Sequence, residues 1–114
     1  MNAEKRKRLE AKGWRVGTVK EFLGLSAEED RLLAIRLSLA RALAQKRREI
    51  AYSQERLADR IGSSQSRVAK MEAGDSSVSL DLLIRAHLSL GSSIGEVSRI
   101  VRQAETVRRE LQEA

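Results

Sequence analysis

Residues 53–91 read SQERLADRIGSSQSRVAKMEAGDSSVSLDLLIRAHLSLG, and the order of capping, apolar and small residues along this stretch decides the fold. Tyr52 before Ser53 and Leu57 four residues after it form a hydrophobic staple around an N-cap, which predicts a helix over about 54–61. Gly62 permits the positive φ of a tight reversal, so Gly62-Ser63-Ser64 reads as a turn. A second short helix is predicted over about 65–73, closed by the turn Gly74-Asp75-Ser76-Ser77. Val78, Ser79 and Leu83 repeat the staple and open a helix over about 80–90, which Gly91 stops.

Across the first two of these helices Gln54, Ala58, Gly62, Val68 and Met71 stand at offsets 0, 4, 8, 14 and 17. Each offset has a physical reason. Ala58 is small where two helices must cross closely, Gly62 turns the chain, and Leu57, Ile61, Val68 and Met71 supply the apolar contacts that lock the second helix across the first. That series is the spacing of a helix-turn-helix. Gln65, Ser66, Ala69 and Lys70 are left facing outward on the second helix, with Arg67 to one side. Such side chains suit a major groove: Gln pairs bidentately with adenine, Lys donates to guanine acceptors, the Ala methyl touches thymine, and a helix N-terminus attracts phosphate.

With these residues the stretch 53–91 resembles the Cro/repressor (Xre) type of helix-turn-helix domain, and the resemblance extends over roughly residues 37–91. It implies an all-α, lambda-repressor-like, compact multi-helix fold and a double-stranded DNA partner. Carried over position by position, it makes Gln65, Ser66 and Lys70 base readers and Gln54 and Arg67 phosphate contacts, and brings Ser76 and Ser77 close to the phosphates. Arg47 and Glu72 stand where the family often pairs an arginine late in the first helix with a glutamate ending the recognition helix; such a pair would orient that helix. Two positions depart from the pattern: Ser63 replaces an apolar turn residue, and Ala51 replaces the Gly often found before the motif. The N-terminal stretch RLEAKGWRVGTVKEFLGLSAEE is similar to the extension of small Xre-type regulators that include HigA-like antitoxins, which adds a RelE-like toxin as a partner the resemblance implies.

Upstream of the motif, Ser26-Ala-Glu-Glu29 is a capping box that opens a long helix with apolar positions at Leu32, Leu33, Leu37, Ala40, Leu43, Ala44 and Ile50. Capping accounts for Glu28 and Glu29. The cations Lys46 and Arg48 suit either the favourable charge of a helix C-terminus or a phosphate contact. Further upstream, Ala3–Lys12 is a charged helix candidate ending at Gly13, and Thr18-Val-Lys-Glu21 has capping-box spacing. Trp14, Val16, Val19, Phe22, Leu23 and Leu25 are expected to fold back on the core, with a partner-binding patch as the sharper reading of Trp14 and Phe22. Lys5–Arg8 reads as a solvated basic face rather than a nucleic-acid arm.

Downstream of Gly91 the apolar positions Ile94, Val97, Val101, Ala104 and Leu111 recur at intervals of three and four, broken by Arg108. They predict one final amphipathic helix, with a short strand over 97–101 as the alternative because β-branched residues concentrate there. The stripe Ile94, Val97, Val101 is the expected homodimer interface, and two-fold symmetry would then match an inverted-repeat operator. The chain accordingly divides into an N-terminal helical extension (1–25), the helix-turn-helix domain (26–91) and a C-terminal helix (92–114).

Composition agrees and excludes. The 114 residues suffice for one domain of ordinary size, and there is no Pro, no Cys and a single His. A disulfide framework, a thiolate zinc site, a Cys nucleophile and a multi-histidine cage are therefore out of reach, no cofactor is expected, and His87 reads as a packing or interface residue. No nucleophile, base and orienter can be assembled around one histidine, which argues against an enzyme. The start is charged and the longest apolar run is Leu32–Ile35, so neither a signal peptide nor a membrane span is expected and the protein reads as cytoplasmic. Twenty-two Lys and Arg against sixteen Asp and Glu give a net charge of +6, which favours an acidic partner. Residues 53–91 nonetheless carry five bases and five acids, and this neutrality keeps open a second reading, a protein-interaction adaptor that uses the fold without reading DNA.

Overall fold

The computed structural model describes Lys7 and residues 25–112, and the described residues form helices joined by short turns. Their order is α1 (Ala27–Glu49), α2 (Gln54–Ile61), α3 (Gln65–Glu72), α4 (Leu80–Ser89), α5 (Ile94–Arg102) and α6 (Ala104–Gln112). The expected N-terminal elements, including Trp14 and Phe22, lie outside the described residues. Lys7 is helical. Leu25 is half-buried against α1 and α6.

Serine caps start five of these helices. Ser26, Ser53, Ser64, Ser79 and Ser93 each have extended backbone and accept a hydrogen bond from the backbone N–H three residues on. Ser26–Glu29 and Ser93–Glu96 are complete capping boxes, the second of which the sequence reading missed. With its acidic first turn and basic last turn, α1 also complements its own macrodipole.

The long helix α1 organises two apolar clusters. Its C-terminal half contributes Leu39, Ala40 and Leu43 to the main core, where they meet Leu57 and Ala58 of α2, Val68 and Met71 of α3, Val78 of the loop before α4, Leu83 and Ala86 of α4, and Val97 of α5. Its N-terminal half, Leu33, Ala34 and Leu37, is covered by Ala104, Val107 and Leu111 of α6. A helix of 23 residues is about 34 Å long, more than the short helices of the motif can cover, so its first turns need a separate partner.

That need explains the departure from the single C-terminal helix the sequence suggested. The segment is helical throughout, with no strand over 97–101, but it breaks at Gln103 into α5 and α6. No Gly or Pro marks the break. The Ser38 hydroxyl donates to the Ile100 carbonyl at 2.7 Å, giving a side-chain partner to a backbone acceptor in the last turn of α5. Arg108, which interrupted the apolar pattern, donates to Asp30 at 2.9 Å and ties α6 to the start of α1. Residues 92–112 are thus packed into the fold at both clusters.

Candidate nucleic-acid interface

Three tight features position α3. Gly62 ends α2 at φ 67, and the Ser63 amide donates back to Ala58 O at 2.8 Å, so the chain reverses within one turn. Val68 and Met71 point into the core with no exposure, which turns the opposite face of the helix to solvent. Gly74, at φ 71, ends the helix in close contact with α1: a Cβ there would lie 2.7 Å from Leu37 Cδ2. The half-buried Ser63 sits in this turn without disturbing it.

A polar chain links α1 to the exposed face. Arg47 Nε and Nη2 donate to the Glu72 carboxylate at 2.6 and 3.0 Å, and Arg47 Nη1 donates to the Tyr52 carbonyl at 2.9 Å. Both partners are largely enclosed, with side chains 13% and 7% exposed. The hydrogen bonds to Glu72 raise the Arg47 pKa, so the guanidinium carries its charge throughout the accessible pH range. Gln54 Nε2 donates to Glu72 Oε1 at 3.0 Å, and Gln54 Oε1 accepts from Gln65 Nε2 at 2.8 Å. The last turn of α1 therefore sets the orientation of the first residue of α3. Gln65 keeps Oε1 and one N–H unengaged by the described residues, a donor and an acceptor side by side.

Next to it lies a cup of about 180 Å³ lined by Ser64, Ser66, Arg67, Lys70, Ser77 and Val78. Ser66, Arg67 and Lys70 are exposed, while Ala69 and Gln54 are half-buried. The Ser64 hydroxyl caps Arg67 N and lies 3.3 Å from Ser66 Oγ. In the following loop the Ser77 amide donates to Asp75 Oδ1 at 2.8 Å; this group and the Ser77 hydroxyl hold the Asp75 carboxyl below its usual range. The Ser77 amide and hydroxyl are thus both turned to Asp75, and Ser76 is exposed in the same loop. The cup brings together two cations and the Ser64 and Ser66 hydroxyls, a donor set that grips phosphate oxygens. Ser64, absent from the sequence-based site, is the residue a cap search at the turn would have found.

Lys46 is placed elsewhere. Its Nζ donates to Ser92 Oγ at 2.7 Å and lies 3.5 Å from Glu96, so it links α1 to α5. Arg48 is exposed. The stripe Ile94, Val97, Val101 is divided: Val97 belongs to the main core, Val101 packs against it, and Ile94 stands 82% exposed. With Leu88, 45% exposed, and Ile84, these residues line an apolar groove of about 340 Å³ between α4 and α5.

Residues 43–97, a little under half the chain, match the family model described as Helix-turn-helix. The matched region runs from the last turns of α1 to the first turn of α5 and includes the polar chain and the cup. No curated protein and no solved structure matches the chain. The all-helical fold of the described residues and this match together support a helix-turn-helix over residues 43–97, and with it a DNA-binding regulator. No helix among the described residues is long and apolar enough to cross a membrane.

Proposed function

We propose that the protein is a sequence-specific transcriptional regulator that lays α3 in the major groove of an inverted-repeat operator as a homodimer, and represses its own operon. The observation that carries the reading is the outer face of α3. Gln65, Ser66, Arg67 and Lys70 are exposed together on a helix whose inner face is fully enclosed, and the Arg47–Glu72–Gln54 chain holds the first of them in place. In this reading the free Oε1 and N–H of Gln65 meet the N6 donor and N7 acceptor of an adenine, and Lys70 reaches a guanine. Arg67 and Ser64 grip a phosphate in the cup, with Ser76 and Ser77 in the loop beside them, while the second N–H of Gln54 meets another at the start of α2. Half-buried Ala69 contributes a methyl edge. The dimer uses the groove between α4 and α5, with Ile94 and Leu88 as its exposed contacts.

Fluorescence anisotropy with the protein's own upstream DNA and a scrambled duplex, at two salt concentrations, tests the reading. A preference for the upstream DNA that Gln65→Ala and Lys70→Ala each reduce by about 1–3 kcal/mol supports base reading, whereas Arg67→Ala lowers affinity for both duplexes and flattens the salt slope by about one charge. Equal, salt-labile binding to both duplexes would overturn sequence-specific autorepression. The similarity of the N-terminal stretch to HigA-like antitoxins extends the proposal to a RelE-like toxin partner. Co-purification with the product of the adjacent gene, and growth rescue lost on removal of residues 1–25, are the outcomes that support it.

A further inference from the structure

His87, the single histidine of the chain, is wholly enclosed in α4. Its Nε2 lies 2.9 Å from the Leu39 carbonyl. A carbonyl only accepts, so Nε2 carries the hydrogen and Nδ1 presents a lone pair. Nδ1 is closed off from solvent and has no hydrogen-bond partner. Burial, against the Leu39 bond and with the Lys46 charge, pushes the ring pKa down and keeps it a neutral acceptor at neutral pH.

His87 forms part of the wall of a cleft of about 470 Å³ between the last turns of α1 and helix α5, within the size range of small-molecule sites. The charged groups around this cleft are not all used by the fold. Lys46 is taken by Ser92 and Glu96. Arg99 is exposed, and its guanidinium has no hydrogen bond or ion pair among the described residues. Glu49 accepts a hydrogen bond from the neutral Gln45 amide at 3.1 Å and has no cation paired with it among the described residues. The α5 side thus offers an uncommitted cation, the α1 side an uncommitted anion, and the enclosed His87 of α4 an unfilled acceptor.

We propose that this cleft binds a free α-amino acid, with its carboxylate on Arg99 and its ammonium shared between Glu49 and His87 Nδ1. A zwitterion is the small ligand whose charges meet both walls, and its ammonium supplies the donor that Nδ1 lacks. Lys46 lines the same cleft and its charge acts on the ring, so in this proposal its flexible chain moves aside to admit the ligand. The site is separate from the outer face of α3 and stands whether or not the DNA-reading proposal does.

Because the chain has one histidine, ¹⁵N-histidine labelling of the full-length protein gives one unambiguous Nδ1 resonance. The standard L-amino acids are titrated one at a time. At least one is expected to move Nδ1 saturably toward the position of a hydrogen-bonded imine nitrogen. Arg99→Gln should weaken that response about tenfold or more, and Arg102→Gln, exposed on the same helix but outside the cleft, should leave it unchanged. Glu49→Gln provides a second variant should Arg99→Gln perturb the fold by circular dichroism; it too is expected to weaken the response. No saturable shift with any amino acid overturns the proposal. So does a shift that survives Arg99→Gln and Glu49→Gln, or an Nδ1 already hydrogen-bonded in the free protein, which would assign the acceptor to a water.

Discussion

Ala51 occupies the left-handed region at φ 58 and is the one non-glycine residue there among the described residues. It lies between the C-cap of α1 and the N-cap of α2, where the family resemblance places a glycine. The reason is geometric, since a Cβ in this region crowds the following carbonyl at a cost of about 1–2 kcal/mol. Glycine removes the clash but adds unfolded-state freedom worth about 0.5–1 kcal/mol. Ala51→Gly is therefore expected to raise stability by a net of about 0.5–1 kcal/mol, seen as a higher urea midpoint at unchanged slope; a lower midpoint would mean that the turn is not strained. The departure was visible in the sequence, but only the backbone angle identifies it as a cost. His87 is the converse case. The sequence reads it as a packing or interface residue, and only the fold shows that it is wholly enclosed, which gives it a pH signature. A depressed folded-state pKa means that the unfolded chain takes up a proton first, so stability is full above the ordinary histidine value of 6.5 and falls as pH drops through that value toward the folded one. Chemical denaturation between about pH 7.5 and 5.5 should show this loss, and in His87→Gln, whose amide can still donate to Leu39, the slope over that window should flatten.

At the scale of elements, short helices are placed by their caps and held by a few long-range polar contacts. The starts of α2 and α4 were legible because an N-cap serine and its staple are local chemistry, satisfied within four residues, and the start of α3 followed from the Gly62 turn. The Arg47–Glu72 pair was legible only as two matching positions, since a separation of 25 positions gives no local sign of contact. In the fold it joins the end of α1 to the end of α3 and braces Gln54 between them. Removing either partner leaves a largely enclosed charge without its mate, and Arg47→Met or Glu72→Gln alone is expected to cost about 2–4 kcal/mol. The double variant should cost less than the sum, because neither charge is then stranded, and additive losses in a thermal double-mutant cycle would show that the two do not act as a unit.

For the whole molecule, one apolar stripe is divided between core and surface, and the proposed dimer rests on its surface part. Ile94 and Leu88 are exposed beside the buried Val97, so they can be altered without opening the core. Ile94→Asp is expected to leave the thermal midpoint nearly unchanged while converting a dimer to a monomer in sedimentation and weakening operator binding. A dimer that persists with Ile94→Asp and Leu88→Asp together would place the interface elsewhere. Val97→Asp cannot make this distinction, since a charge at that depth would unfold the domain.

From its own residues the chain determined the helical class, the helix-turn-helix spacing and the outward set on α3, because capping, turn glycines and helical periodicity act over a few residues at a time. Tertiary structure alone decided the break at Gln103, the pairing of Arg108 with Asp30, the capture of Lys46 by α5 and the fate of each residue in the Ile94–Val101 stripe. Each of these depends on which surface arrives from far along the chain to cover α1. A periodic pattern marks a face as apolar without saying what will meet it.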